Sequence, residues 1–278
     1  MDKEFVRRIL AEFVNNSEDN FIKVEKALKS EVIGLKMFEQ PSCFIASATD
    51  PLFEVLKSDQ GMGEYFTCPK EWLPTAKTVI AIFLPFTKAV KVANSMAEEP
   101  AEEWLHARLE GQVYIDKLTA YLRDELLELG YKTVAPSLDE RFWSKTKFNP
   151  QTAHPDVAYT SNWSERHVAF VCGAGTFGLS KGLITAQGMA GRFTSLITEL
   201  ELPRDRRDYQ DVYEYCSECG ACIRKCPAQA ISLKNGKNHQ ICAQYLEEIK
   251  ARYAPYYGCG KCQVGVPCGD KIPSKNKK

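Results

Sequence analysis

The sequence has no excess of either charge: 36 lysines and arginines stand against 36 aspartates and glutamates in 278 residues. A chain whose main business is coating nucleic acid or an anionic membrane carries a basic excess, so such a role would have to rest on a local patch. No apolar run approaches the ~18 residues of a membrane-spanning helix. The opening MDKEFVRRILAEFV puts charges on both sides of its apolar residues, without the continuous apolar core or small-residue cleavage site of a secretory leader. No internal repeat is visible outside the cysteine groups. The expectation is a protein without membrane segments, located in the cytoplasm, where thiols stay reduced. At 44% hydrophobic and 26% charged, the composition is that of an ordinary globular chain.

What is abundant is cysteine. There are eleven, and eight of them fall between Cys216 and Cys268. In a reducing compartment a disulfide framework explains them poorly and metal binding explains them well. Cys216-x2-Cys219-x2-Cys222-x3-Cys226-Pro227 matches the bacterial ferredoxin run that holds [4Fe–4S] clusters by thiolates, in which the fourth cysteine serves the other cluster. Three cysteines spaced by two residues wrap a tight loop around three corners of a cube. The fourth corner must come from elsewhere. Cys242, Cys259, Cys262 and Cys268 supply a second set, and ferredoxin logic predicts an exchange. One cluster takes Cys216, Cys219, Cys222 and Cys268; the other takes Cys226, Cys242, Cys259 and Cys262. The five residues between Cys262 and Cys268 exceed the ferredoxin spacing. Ala230 to Gly236 reads as a strand meeting an Asn-Gly hairpin turn. A zinc ribbon of two C-x2-C pairs is the competing metal reading. Cys43, Cys68 and Cys172 read as structural.

Upstream, apolar periodicity predicts a first helix through Phe5, Val6, Ile9, Leu10 and Phe13. A strand follows at Phe44–Ala46, then a turn at Asp50-Pro51 and a helix through Leu52, Val55 and Leu56. Thr78 to Leu84 is continuous, β-branched and stopped by Pro85, the pattern of a strand buried on both faces. Residues 97–103 are acidic and read as solvated. A long helix carries Tyr114, Leu118, Tyr121, Leu122, Leu126 and Leu129 on one stripe and stops at Gly130. Tyr131–Ala135, His167–Cys172 and Phe193–Ile197 read as further strands. Asp139 to Ser164 loses periodicity and is rich in aromatics, as expected of a segment over a site or of a packed surface loop. This alternation gives an α/β class. A boundary near Leu202 separates an α/β cofactor and substrate domain, 1–202, from a ferredoxin-like domain, 203–278, with a basic tail from Lys271. Arg204, Arg206 and Arg207 alternate with Asp205 and Asp208, the composition of a solvated linker.

Gly173-Ala174-Gly175-Thr176-Phe177-Gly178 fits G-x-G-x-x-G after a predicted strand. A dinucleotide-binding turn must open a long helix. Gly182, Gly188 and Gly191 follow closely, and each would cost ~1 kcal/mol in a helix interior, which argues against that use. Two readings remain: a turn where backbone approaches another flat or anionic cofactor, or a structural bend.

Read in order, Trp72–Ile80, Trp163-Ser164-Glu165-Arg166-His167, the glycine turn, Leu183-Ile184-Thr185 and the cysteine groups resemble the epoxyqueuosine reductase-like double-cluster proteins, relatives of the reductive dehalogenases. The resemblance implies a nitroreductase/reductive-dehalogenase-like α/β domain followed by a ferredoxin-like two-cluster module. It implies two [4Fe–4S] clusters and a cobamide (cobalamin) approached by Gly173, Gly175 and Gly178. It also implies a low-potential electron donor of ferredoxin or flavodoxin type, and reduction of a small molecule or modified nucleoside. The family's catalytic aspartate precedes the segment matched by Trp163–Arg166. Asp156 is favoured for that role, with Asp139 as alternative. No D-x-H-x-x-G motif is present, so a cobamide would bind without that histidine ligand. Members that act on tRNA carry a further helical-repeat domain after the last cysteines, which these residues do not include, so tRNA is not expected as a partner. The competing function is a ferredoxin-type electron-transfer protein that acts on a protein partner without a cobamide. About 200 residues upstream of the cysteines are excessive for that alone. A nucleic-acid-associated protein with structural metal is a third reading, disfavoured by the balanced charge.

Overall fold

The computed structural model describes residues 1–145 and 158–274. The chain opens with α1 (Lys3–Asn16), capped by Asp2, whose carboxylate accepts the Phe5 N–H at 3.0 Å. It buries Val6, Ile9, Leu10 and Val14. β1 (Ser42–Ser47) turns at Asp50-Pro51 into α2 (Leu52–Lys57). Next come α3 (Pro69–Trp72), β2 (Thr78–Pro85), α4 (Lys88–Met96) and α5 (Glu102–Glu128). At 27 residues α5 runs about 40 Å. It ends before Gly130, whose φ of +86° only glycine adopts freely. β3 (Thr133–Val134) follows, then β4 (Ser144–Lys145) paired with β5 (Thr160–Ser161). α6 (Glu165–Val171), the hairpin of β6 (Gly175–Phe177) and β7 (Leu183–Thr185), and β8 (Gly191–Thr198) complete the first part. Beyond it lie α7 (Ala221–Arg224), the pair β9 (Ile231–Ser232) and β10 (Gly236–Lys237), and α8 (His239–Tyr253).

The main sheet has the order β1-β2-β8-β3 and is antiparallel throughout. Every residue of β2 is buried. Ile80, Ile82 and Leu84 face one core with α1 and α5, while Val79 and Ala81 face a second core with α6 and Trp72. Such continuous apolar runs commonly mark parallel sheets. Here an antiparallel strand needs the same composition because helices cover both of its faces. Among the described residues no helix is long and apolar enough to cross a membrane.

Four expectations are corrected. His167–Cys172 is the helix α6 and its end, not a strand, so the glycine motif follows a helix. A six-residue apolar run carries too little periodicity to separate the two, and Val168, Ala169 and Val171 bury equally well as a helix face against the second core. On α5, Tyr121 is only partly buried and Leu129 lies past the helix end, 48% exposed, so the stripe is Tyr114, Leu118, Leu122 and Leu126. Residues 97–103 are only partly solvated: Glu102 and Glu103 meet Lys29 at 3.1 and 3.2 Å. The linker is also anchored. The Arg207 guanidinium pairs with buried Asp50 at 2.7 Å and donates to the Val171 carbonyl, and Asp205 accepts the Ile45 N–H at 2.8 Å. Arg204, Arg206 and Asp208 remain exposed, as the linker reading expects.

The C-terminal elements lie directly on the first part. Ile249 and Tyr256 pack with Leu105, and Val264 joins the core of the sheet. A Cβ at Gly260, φ +65°, would sit 1.9 Å from the Trp104 ring. This contact fixes how closely the cysteine loop can approach α5.

Candidate functional site

The eight clustered cysteines line two recesses. Cys216, Cys219, Cys222 and Cys268 surround one. Cys226, Cys242, Cys259 and Cys262 surround the other, of about 140 Å³. Each position has a local cause. Gly220, at φ +69°, turns the chain into α7 and brings buried Cys222 back toward Cys216. Cys226 leaves the end of α7, and its sulfur accepts the Ala230 N–H at 3.3 Å. Asn238 caps α8 through the Gln240 and Ile241 N–H groups and thereby orients Cys242 on its first turn. The Cys259 carbonyl accepts from Asn94 Nδ2 at 2.9 Å. The Cys268 carbonyl accepts the Met189 N–H at 3.0 Å, which holds the longer Cys262–Cys268 loop against the segment before β8. Among the described residues no three His, Cys, Asp or Glu side chains form a set that could hold a single metal ion. Burial pushes the Cys222 thiol up to about 11 and those of Cys259 and Cys268 up to about 12. A metal centre held there must displace their protons.

The two recesses differ in charge. Among the described residues no charged side chain lines the first. The second is lined by Arg108 from α5, Arg166 from α6, Arg192 from β8 and Lys237 from β10. Arg108 stacks on Tyr257 at 5.1 Å, and Arg192 donates to the Arg108 carbonyl at 3.4 Å and to Gln112. Among the described residues none of the three arginines has a carboxylate within ion-pair distance.

Arg166 also lines a larger cavity of about 610 Å³. Phe170, Phe177, Tyr209 and Tyr213 give it aromatic walls, and Lys181, His167 and His239 add polar groups; among the described residues no Asp or Glu side chain lines it. His167 meets Ser164 Oγ through Nδ1 at 2.8 Å. Burial pushes its imidazole down to about 4, so it is neutral near pH 7. An adjoining recess of about 570 Å³ shares Gly61, Tyr159, Ser164 and His167.

The other predicted site residues fall in different places. Asp156 lies outside the described residues. Asp139 is clamped by Arg141, whose Nε and Nη2 each approach it at 2.7 Å, and this pairing holds its carboxyl below the usual range. It lines none of the cavities described above. The three glycines do not share one surface. A Cβ at Gly175, φ +155°, would lie 1.9 Å from the Ile184 carbonyl oxygen, so its close approach is to its own hairpin. Gly173 faces the Arg206 carbonyl, and Gly178 lines the first cysteine recess near Cys216.

Sequence reasoning missed Arg108, Arg192 and Lys237, which lie far apart along the chain in no pattern, and it gave no role to Glu165. The Glu165 carboxylate accepts from Ser195 Oγ at 2.6 Å, and Ser195 Oγ accepts from Trp163 Nε1 at 2.9 Å. Burial pushes Glu165 up to about 7, and its Oε1 has no hydrogen-bond partner.

A family model for a 4Fe-4S binding domain matches residues 209–232, the stretch holding Cys216, Cys219, Cys222 and Cys226. The epoxyqueuosine reductase of Staphylococcus aureus (strain NCTC 8325 / PS 47) is 24% identical over 219 residues, 72% of this chain and 50% of that protein. The chain therefore spans half the length of that relative. Among solved structures, an epoxyqueuosine reductase with a tRNA-Tyr epoxyqueuosine-modified stem loop is similar over 98% of this chain and 68% of that one, at 18% identity and a TM-score of 0.48. A catabolic reductive dehalogenase is similar over 84% of this chain and 30% of that one, at 14% identity and a TM-score of 0.50. The chain resembles epoxyqueuosine reductase in sequence and the reductive dehalogenases in fold, and its α/β part is followed by a ferredoxin-like region that binds a 4Fe–4S cluster.

Proposed function

We propose that this chain is an iron–sulfur oxidoreductase that passes electrons through two [4Fe–4S] clusters to an acceptor in the large cavity. The observation that carries this reading is the division of eight thiols into two sets of four around separate recesses, the second of which shares Arg166 with the cavity. All-thiol sets of four suit iron–sulfur clusters. Bound there, the clusters would supply low-potential one-electron storage. Residues 203–278 bring the thiols, and 1–202 bring most of the cavity.

A cobamide in the large cavity is part of the proposal. Phe170, Phe177 and Tyr209 give an apolar aromatic wall that suits part of a large macrocycle, and a cavity of about 610 Å³ would hold part of that molecule rather than the whole. Bound there, it would supply a cobalt centre able to reduce an organic group. Around it Arg166 and Lys181 favour anionic groups, and His167 and His239, whose imidazoles burial pushes down and keeps neutral near pH 7, offer hydrogen-bonding nitrogens. A small molecule or modified nucleoside is the proposed substrate, and a ferredoxin- or flavodoxin-type protein the proposed donor. Asp156 is the proposed proton donor, and its support is the family resemblance. Asp139, held ionised by Arg141, is a poor acid.

Anaerobic purification, an iron and sulfide count and a cobalamin titration read in the cobalt spectrum test this reading. Eight irons and a shifted spectrum are expected. Eight irons without corrin binding would leave an electron-transfer protein acting on a partner. Zinc in place of iron would sink both.

A further inference from the structure

We propose that Arg108, Arg166 and Arg192 form a fixed positive wall that holds the second four-cysteine site at a higher reduction potential than the first. Electrons would then enter at the first site and come to rest beside the large cavity. The inference deepens the reading above and rests on it.

The two recesses share the same ligand type and number and differ in their surroundings. The wall of the first is apolar or small: Leu179, Met189, Ala221 and Val266. Glu218 and Arg224 lie on the same loop, but both are exposed and therefore screened. The wall of the second gathers guanidinium groups from α5, α6 and β8, three elements far apart in sequence, and adds Lys237. Guanidinium stays charged in proteins. Like charges brought together out of water are unfavourable unless an anion stands between them. Four thiolates around a [4Fe–4S] core provide that anion, and its negative charge grows by one unit on reduction. The wall therefore favours the reduced form at this site. At ~10 Å and an effective dielectric near 20, each fixed charge shifts the reduced-to-oxidised ratio on the order of tenfold.

Cys219 is exposed. Solvent there also stabilises added negative charge, at Cys219 and in part at half-buried Cys216 and Cys268, but the four thiols of the second site are half-buried as well, and the arginine wall acts on that site alone. The same exposure makes the first site the more accessible one for a low-potential one-electron donor of ferredoxin or flavodoxin type. One electron leaves that donor, reduces the first site, and then passes to the second as the first returns to its oxidised state. No proton is required. Arg166 acts as a positioning residue, because it places the favoured charge at the boundary of the cavity.

The test is an EPR-monitored redox titration of the full, cluster-loaded chain. Two midpoints are expected in the unmodified protein. Cys219→Ser should move or abolish only the lower one, which assigns that midpoint to the first site. Arg192→Met and Arg166→Met should each lower the higher midpoint by on the order of tenfold in the redox ratio, about 59 mV for a one-electron couple, and leave the lower midpoint in place. Arg192→Lys should restore most of the shift. If Cys219→Ser moves the higher midpoint, the order of the sites is reversed and the inference fails. If both clusters load and the arginine variants leave the midpoints unchanged, the inference also fails while the two-cluster reading stands. A protein that holds fewer than two clusters overturns both. The assignment by Cys219→Ser needs no arginine variant to fold.

Discussion

Glu165, Arg166 and His167 are consecutive, yet three environments claim them: a serine on the central sheet, the second thiol recess and the aromatic cavity. The two that titrate act in opposite directions. The carboxyl of Glu165 is raised to about 7 by burial, so the folded state holds a proton that the unfolded state has released above its ordinary value of 4.5. Its contribution to stability is full below pH 4.5 and is lost as pH rises through 7. The imidazole of His167 is lowered to about 4, so its contribution is present above 6.5 and is lost as pH falls through 4. Between about pH 4.5 and 6.5 the two slopes offset each other. We expect Glu165→Gln to gain stability relative to the unmodified chain as pH rises from 4.5 to 7, by an amount on the order of 3 kcal/mol. Denaturant unfolding of the pair at each pH measures this difference, and parallel curves would show that Glu165 ionises freely.

Helix α4 shows how a whole element can be committed to the site. Its final carbonyls carry the negative end of the helix dipole and need donors. Two lysines from the cysteine loops supply them. Lys261, between Cys259 and Cys262, donates to the carbonyls of Asn94 and Ala97 at 2.8 and 2.5 Å. Lys225, next to Cys226, donates to the Ser95 carbonyl at 3.1 Å. Asn94 returns the contact through the Cys259 carbonyl. Lys261 is itself buried, so its loss cannot be made good by water. Lys261→Met should therefore destabilise the protein by roughly 2–4 kcal/mol. It should also speed loss of iron to a chelator, and selectively from the second site. A variant with unchanged unfolding midpoint and iron retention would show that the lysine is incidental.

For the molecule as a whole, the two parts do not behave as beads on a linker. Ile249 and Tyr256 lean on α5, Val264 completes the sheet's core, and Arg207 ties residues 203–208 to the turn before α2. A small module whose apolar contacts lie mostly on a neighbour cannot close a core by itself. Residues 203–278 expressed alone should reconstitute with fewer than eight irons and be digested rapidly by protease. A fragment that holds eight irons and resists digestion would show that the thiol module is autonomous.

Some of this was written in local chemistry. The x2-x2-x3-Pro spacing and the later cysteines singled out the eight thiols, because ligand geometry on a short loop is a property of neighbouring residues. The apolar run at Thr78–Leu84 declared its burial, because both of its faces needed apolar side chains to meet opposing helices. The stops at Pro85 and Gly130 were equally plain, since both are backbone rules. Other features depend on convergence, which has no period. Nothing near Arg108, Arg166 or Arg192 in the chain shows that α5, α6 and β8 turn them toward one recess. Residues 167–171 are helical because the second core takes Val168, Ala169 and Val171, not because a short apolar run chooses a helix. Cys268 reaches the first recess through a hydrogen bond to Met189, nearly eighty residues earlier. The sequence by itself determined which thiols the proposed clusters would use. Only the tertiary structure decided which charges surround each set of thiols, because an electrostatic environment is a sum over distance in space and not along the chain.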